Sequence, residues 1–144
     1  MRAIRRNHIA ISLVIEAPIQ SVWDALADWE KQGDWMLATK VWVTSTTQDG
    51  VGTKISAFTG IKSIGILDTM EVTSWVPPFV CDVVHTGAII KGVGKFELHE
   101  INSTQTRFDW SEEVIAPRPL FLLIFPGLYI GVRISLERFA RTFR

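Results

Sequence analysis

Three ionisable side chains stand on stretches that are otherwise apolar: Asp68, His85 and Glu112. Each falls on a segment with the two-residue alternation of a strand, where alternate residues share a face. Around Asp68 the apolar set is Ile66, Met70 and Val72. Around His85 it is Phe79, Cys81 and Val83, and around Glu112 it is Thr106, Phe108 and Trp110. A carboxyl group on an apolar face is costly to ionise, and desolvation raises its pKa toward the range useful for proton transfer. A histidine beside such a carboxylate has the chemistry of a general acid or base, suited to an aldol cyclisation or a dehydration. The competing reading is structural: each group meets water at a strand end or pairs with a cation of the last helix, such as Arg133 or Arg138.

The elements that must position these groups follow from the chain in order. His8 to Ile15 alternates as a first strand. Pro18 precedes an apolar helical face of Ile19, Val22, Trp23 and Leu26, and a short second helix or turn runs from Trp29 to Trp35. Six strands follow: Val41–Thr47, Thr53–Thr59, Ile64–Trp75, Phe79–Thr86, Ile89–Glu100 and Thr104–Val114. They are separated by Asp49-Gly50, Gly60, Pro77-Pro78, Gly87 and Asn102-Ser103. The chain ends in an apolar block, Leu120 to Phe125, an interruption at Pro126-Gly127, and a helix from about Leu128 to Arg144. Its apolar positions include Ile130, Ile134, Phe139 and Phe143. The order is strand, two short helices, six strands and a long helix, an α+β pattern in one domain over residues 1–144.

Composition narrows the function. Lys+Arg and Asp+Glu both number 15, so no phosphate-neutralising excess exists and general nucleic-acid binding is not expected. Six Trp and eight Phe suit a wide apolar interior. Cys81 is the single cysteine, which precludes an intrachain disulfide and fits a cytoplasmic location. The histidines His8, His85 and His99 lack zinc spacing, so no metal is expected. Neither a P-loop, a dinucleotide fingerprint nor a G-x-S-x-G elbow occurs, so no cofactor is expected either. Met1 to Ile15 has the basic-then-apolar order of a signal peptide, but it alternates like a strand and lacks a cleavage site. Leu120 to Val132 is too short and too broken to span a bilayer, so stable insertion is not expected, though partial membrane contact is a minority option.

In this order the chain resembles the START-like, or Bet v 1-like, superfamily (SRPBCC), and within it the bacterial polyketide cyclase/dehydrase-like proteins. The residues carrying the likeness are A-P-I-Q-S-V-W-D-A-L-A-D-W-E (Ala17 to Glu30), G-V-G-T (Gly50 to Thr53) and D-T-M-E-V-T-S-W-V-P-P (Asp68 to Pro78). They continue in H-T-G (His85 to Gly87), G-V-G-K-F-E-L (Gly92 to Leu98), T-R-F-D-W-S-E-E (Thr106 to Glu113) and S-L-E-R-F-A-R (Ser135 to Arg141). The resemblance implies a helix-grip fold: a curved seven-stranded antiparallel sheet wrapped around the C-terminal helix, with two short helices at one end and a deep apolar cavity between. It implies binding of lipids, polyketides or similar molecules, and in some members their cyclisation or dehydration. Fold alone does not choose among these.

Three functions are therefore carried forward. The first is binding of a small hydrophobic or amphipathic molecule against a wall of Phe58, Met70, Trp75, His85, Phe96, Trp110, Ile130 and Ile134. The second is a cyclase or dehydratase using His85 with Asp68 or Glu112. The third is an accessory protein that presents lipid or docks a partner through Leu120 to Phe125. Core packing alone would require the same aromatics. Trp35 and Trp42 are expected in the core or at its rim, and Lys62 near the cavity mouth. The oligomeric state is not written in the chain.

Overall fold

The computed structural model describes residues 4–144 except Ile89. The basic start of the chain at residues 1–3 and the first residue of the expected strand Ile89–Glu100 thus lie outside the described residues. Seven strands form one antiparallel sheet: β1 (Ile4–Ile15), β2 (Thr39–Val43), β3 (Lys54–Ile61), β4 (Ile64–Val76), β5 (Val80–Thr86), β6 (Lys91–Asn102) and β7 (Gln105–Pro117). Their order is β1-β7-β6-β5-β4-β3-β2, a meander from β2 to β7 closed by β1 on the far edge. Helix α1 (Ile19–Ala27) and a 3-10 turn (Trp29–Asp34) follow β1, and helix α2 (Arg118–Arg141) follows β7. The strand, two-helix, six-strand, long-helix order is the one expected, and the helix-grip architecture is present.

Alternation decides which side of the sheet is covered. One row of partners runs Ile55, Met70, His85, Gly92, Val114 and Asn7 across β3, β4, β5, β6, β7 and β1. The next runs Val72, Val83, Gly94, Glu112 and Ile9, and a third joins Trp75, Cys81, Phe96, Trp110 and Ile11. These rows hold the buried side chains, so they form the concave face. A register shift between Val72 and Ser74 keeps Trp75 on that face.

The closed end of the sheet is sealed by α1, the 3-10 turn and the C-terminal half of α2. Ile19, Val22, Trp23 and Leu26 are the buried residues of α1, as their spacing predicts. Phe139 is buried with its ring 4.7 Å from Trp35 and 5.9 Å from Phe108. The Leu37 N–H donates to the Ser135 hydroxyl at 2.9 Å, and Arg138 donates to the Asp34 carbonyl at 3.2 Å, fastening the helix to the end of the 3-10 turn and the residues after it. Trp35 belongs to the core, whereas Trp42 is exposed.

Helix α2 departs from expectation in two ways. It runs unbroken through Pro126-Gly127, although Pro126 has no N–H to give the carbonyl one turn back. An aromatic ladder bridges the weak point: the rings of Phe121 and Phe125 are 5.4 Å apart and those of Phe125 and Tyr129 5.7 Å, one turn each. Its covered face is Phe121, Phe125, Tyr129, Val132, Leu136 and Phe139, which leaves Ile130 (57% exposed) and Ile134 (40%) pointing away from the sheet. Strand boundaries differ less. The β3–β4 turn falls at Lys62-Ser63, with Lys62 in the left-handed region (φ 58), and Gly60 is the strand residue facing Gly65. The segment 44–53, including Asp49-Gly50, links β2 to β3.

Candidate functional site

Asp68, His85 and Glu112 converge on the concave face. The Nδ1 of His85 lies 2.8 Å from an oxygen of Asp68, and its Nε2 is hydrogen-bonded to Oε1 of Glu112. Both ring nitrogens are thus engaged by carboxylates. Asp68 comes from β4 and His85 from the adjacent β5, whereas Glu112 is on β7 with β6 between. The intervening residues on β6 are Gly92 and Gly94, and the missing side chain of Gly94 leaves room for Glu112 to cross. A Cβ on Gly94 would run into the Glu112 carboxylate, and Gly92 has φ +133 with its Cβ position blocked by the Glu113 carbonyl. The sequence signal is the G-V-G spacing, two glycines on one face of a strand beside those carrying the histidine and the glutamate.

The His85 side chain is 6% exposed, against 17% for Asp68 and 14% for Glu112, so a molecule in the groove reaches the cluster through its carboxylates. Burial opposes a charge on His85, but hydrogen bonds to Asp68 and Glu112 and their negative charges outweigh it and raise its pKa to about 10. Burial raises the Glu112 pKa as well. The hydrogen bond and charge of His85 pull it back, Asp68 pushes it up again, and the net shift is upward. The imidazole therefore keeps its proton at neutral pH and donates from both nitrogens, and Glu112 holds a proton more readily than an ordinary carboxyl group.

This answers the competing structural reading in part. The three groups do not pair with helix cations: Arg133 lies 3.4 Å from Glu137, and Arg138 bonds the Asp34 carbonyl. They pair with one another.

The apolar wall is partly as expected. Met70, Trp75, Phe96 and Trp110 share the concave face with the cluster. Phe58 does not: it pairs with Lys40 and Leu67, opposite in parity to Ala57, and its ring lies near Gly65 on the outer face. Ile130 and Ile134 are excluded by the rotation of α2. At the closed end Trp23, Leu26, Trp29, Trp75, Cys81 and Phe96 pack with no water-sized space between them. Toward the β3–β4 hairpin the concave face is an open groove, since α2 packs over β1 and β7 and Ile66 on β4 remains exposed.

Two other groups lie outside the cluster. Burial, aided by the Asp82 charge, raises the Cys81 thiol to about 12, so it is no nucleophile at neutral pH. On the outer side of the sheet Glu97, His99 and Asp109 bring ligand atoms within 4.8 Å of one another, a grouping the histidine spacing did not reveal. Arg107 already bonds Asp109 at 3.2 Å, and the His99 Nε2 lies 2.9 Å from Glu97, which makes this an ion-pair network with its own cation.

No family model matches the chain, and no curated protein does. Solved structures do. A START superfamily protein of Mycobacterium smegmatis superposes with a TM-score of 0.77 at 12% identity, covering 95% of this chain and 99% of the other. A Chromobacterium violaceum protein gives 0.74 at 18% identity over 95% and 96%. The chain has the START-like helix-grip fold. The Zhui aromatase/cyclase of a Streptomyces species shares it, with a TM-score of 0.74 at 15% identity over 97% of each chain. At such identities the START-like likeness speaks for the fold, and the residues of the groove must speak for the chemistry.

Proposed function

We propose that this START-like domain is an acid–base enzyme of the polyketide cyclase/dehydratase type, acting on an apolar carbonyl compound held in the groove. The observation that carries it is the Asp68–His85–Glu112 cluster, with both nitrogens of one buried imidazole engaged by carboxylates on an apolar face. Binding alone would need only the aromatic wall, whereas such a cluster costs desolvation and holds a proton ready to move. The fold shared with an aromatase/cyclase adds support.

In this reading Glu112, basic and partly exposed, removes a proton from the carbon next to a carbonyl. The resulting enolate attacks a second carbonyl of the same molecule and forms the ring. The alkoxide takes that proton back from the cluster. Glu112 then removes the second proton from the same carbon, the cluster passes it to the hydroxyl, and water leaves as the carbon–carbon double bond forms. His85 stabilises the Glu112 carboxylate between transfers, and Asp68 holds the imidazole in place.

The test is dehydration of a cyclic β-hydroxyketone, followed through the absorbance of the conjugated enone. Glu112→Gln and His85→Gln are expected to lose about 100-fold or more in rate. A wild-type rate matched by both variants would sink the proposal. A wild-type protein that binds the ketone without turnover would return the groove to the binding reading, which its apolar lining of Met70 and Trp110 favours.

A further inference from the structure

One end of the molecule is apolar, exposed and poor in acid. Registers bring three segments to it. The β3–β4 hairpin extends beyond the row of Met70, His85, Gly92 and Val114, β5 gives way to β6 there, and β7 runs out into the start of α2. At the hairpin tip Ile61 and Ile64 are 76% and 82% exposed, with Lys62 between them. On α2 the residues Leu120, Leu122, Leu123 and Ile124 are exposed, Leu123 by 78%. This helix is long and apolar enough to cross a membrane, yet only 17% of its most apolar stretch is buried.

The charges at this end are one-sided. Between Glu113 and Glu137 the chain has no acidic residue, and Arg118 stands at the start of α2. Lys62, Lys91 and Arg6 add positive charge. Arg6 and Lys91 line a solvent-open cavity of about 260 Å³ on the outer side of the sheet, whose acidic member, Glu113, is 3.5 Å from Arg6. Asp68 and Glu112 are committed to His85. Exposed leucines and isoleucines with interspersed cations match the boundary between acyl chains and anionic headgroups. Spanning is ruled out by the C-terminal half of α2, which is locked in the core through Leu136 and Phe139.

We infer that this end is a docking face for an anionic lipid bilayer, with the N-terminal half of α2 and the β3–β4 tip dipping into the interface and the groove opening toward the lipid. The contact is peripheral and reversible. It does not depend on the acid–base reading, because it uses other residues.

Co-sedimentation of the whole protein with vesicles tests it. The protein is expected to pellet with vesicles of phosphatidylcholine plus phosphatidylglycerol, and about tenfold less with pure phosphatidylcholine or at high salt. Leu122→Glu with Leu123→Glu is expected to abolish pelleting while leaving circular dichroism unchanged, since both side chains are in solvent. Ile61→Ser with Ile64→Ser, on a separate element, is expected to weaken it about tenfold as well. Glu112→Gln is expected to pellet like the wild type, which separates this face from the chemistry of the groove. Failure of the wild type to pellet overturns the inference, as does wild-type pelleting by both surface variants. If the protein is instead a dimer by light scattering, the glutamate variant makes it a monomer and vesicles are ignored, the face belongs to a second copy.

Discussion

At neutral pH His85 carries a proton between two carboxylates, and that proton is a stability statement as well as a catalytic one. Its folded pKa of about 10 lies above the ordinary value of 6.5. The stability it contributes is therefore fully present below pH 6.5 and is lost as pH rises through about 10. Glu112 is also raised in the fold, so its contribution is greatest below its ordinary value of 4.5 and declines as pH rises above it. Both groups act in the same sense. The wild-type melting temperature is expected to fall between neutral pH and pH 10, and His85→Gln is expected to flatten that fall. At pH 7 the same variant leaves two carboxylates without their cation and should cost about 3 kcal/mol in urea unfolding. A slope unchanged by the substitution would show that His85 does not hold the proton.

At the scale of the element, α2 has two halves with different work. The C-terminal half is a core element, and Phe139→Ala should cost about 3–5 kcal/mol by chemical denaturation, since Phe139 is buried against Trp35 and Phe108. The N-terminal half is exposed and carries Pro126 within the helix. There Pro126→Ala restores a donor and relieves a clash, so it should stabilise the protein by about 1–3 kcal/mol. A loss on that substitution would mean the proline is fitted to its place by contacts outside the helix. The same element explains two misplaced site residues. Ile130 and Ile134 satisfy a helical apolar spacing, but so do Val132 and Leu136, and only the position of the sheet says which set turns inward. Phe58 stands on the outer face for a different reason: its ring suits a ligand wall, but its parity is that of Lys54 and Ser56, opposite the inward Ile55 and Ala57.

For the whole molecule, the open groove sets the expectation for ligands. Trp110 stands beside Glu112 on the concave face of β7. An aromatic polyketide-like phenol entering the groove should therefore quench tryptophan fluorescence and raise the melting temperature by mass action. Titration with a naphthol or anthraquinone checks this. Unquenched fluorescence with no thermal shift at millimolar ligand would mean the groove does not take such molecules. The exposed apolar end and the groove mouth lie together, which places lipid docking and ligand entry on the same side of the fold.

Much of this was legible in the chain. Element order, the buried face of α1, the inward parity of β4, β5 and β7, and the three ionisable residues follow from local periodicity, because a residue's face depends on its own strand or helix. Convergence of those three does not. Asp68 and Glu112 are separated by 44 positions of sequence, and their meeting at one imidazole depends on sheet order and on Gly94, which lets the Glu112 side chain cross β6. The rotation of α2, its passage through Pro126 and the openness of the groove were likewise decided by packing, since burial is a property of neighbours that a single segment does not contain.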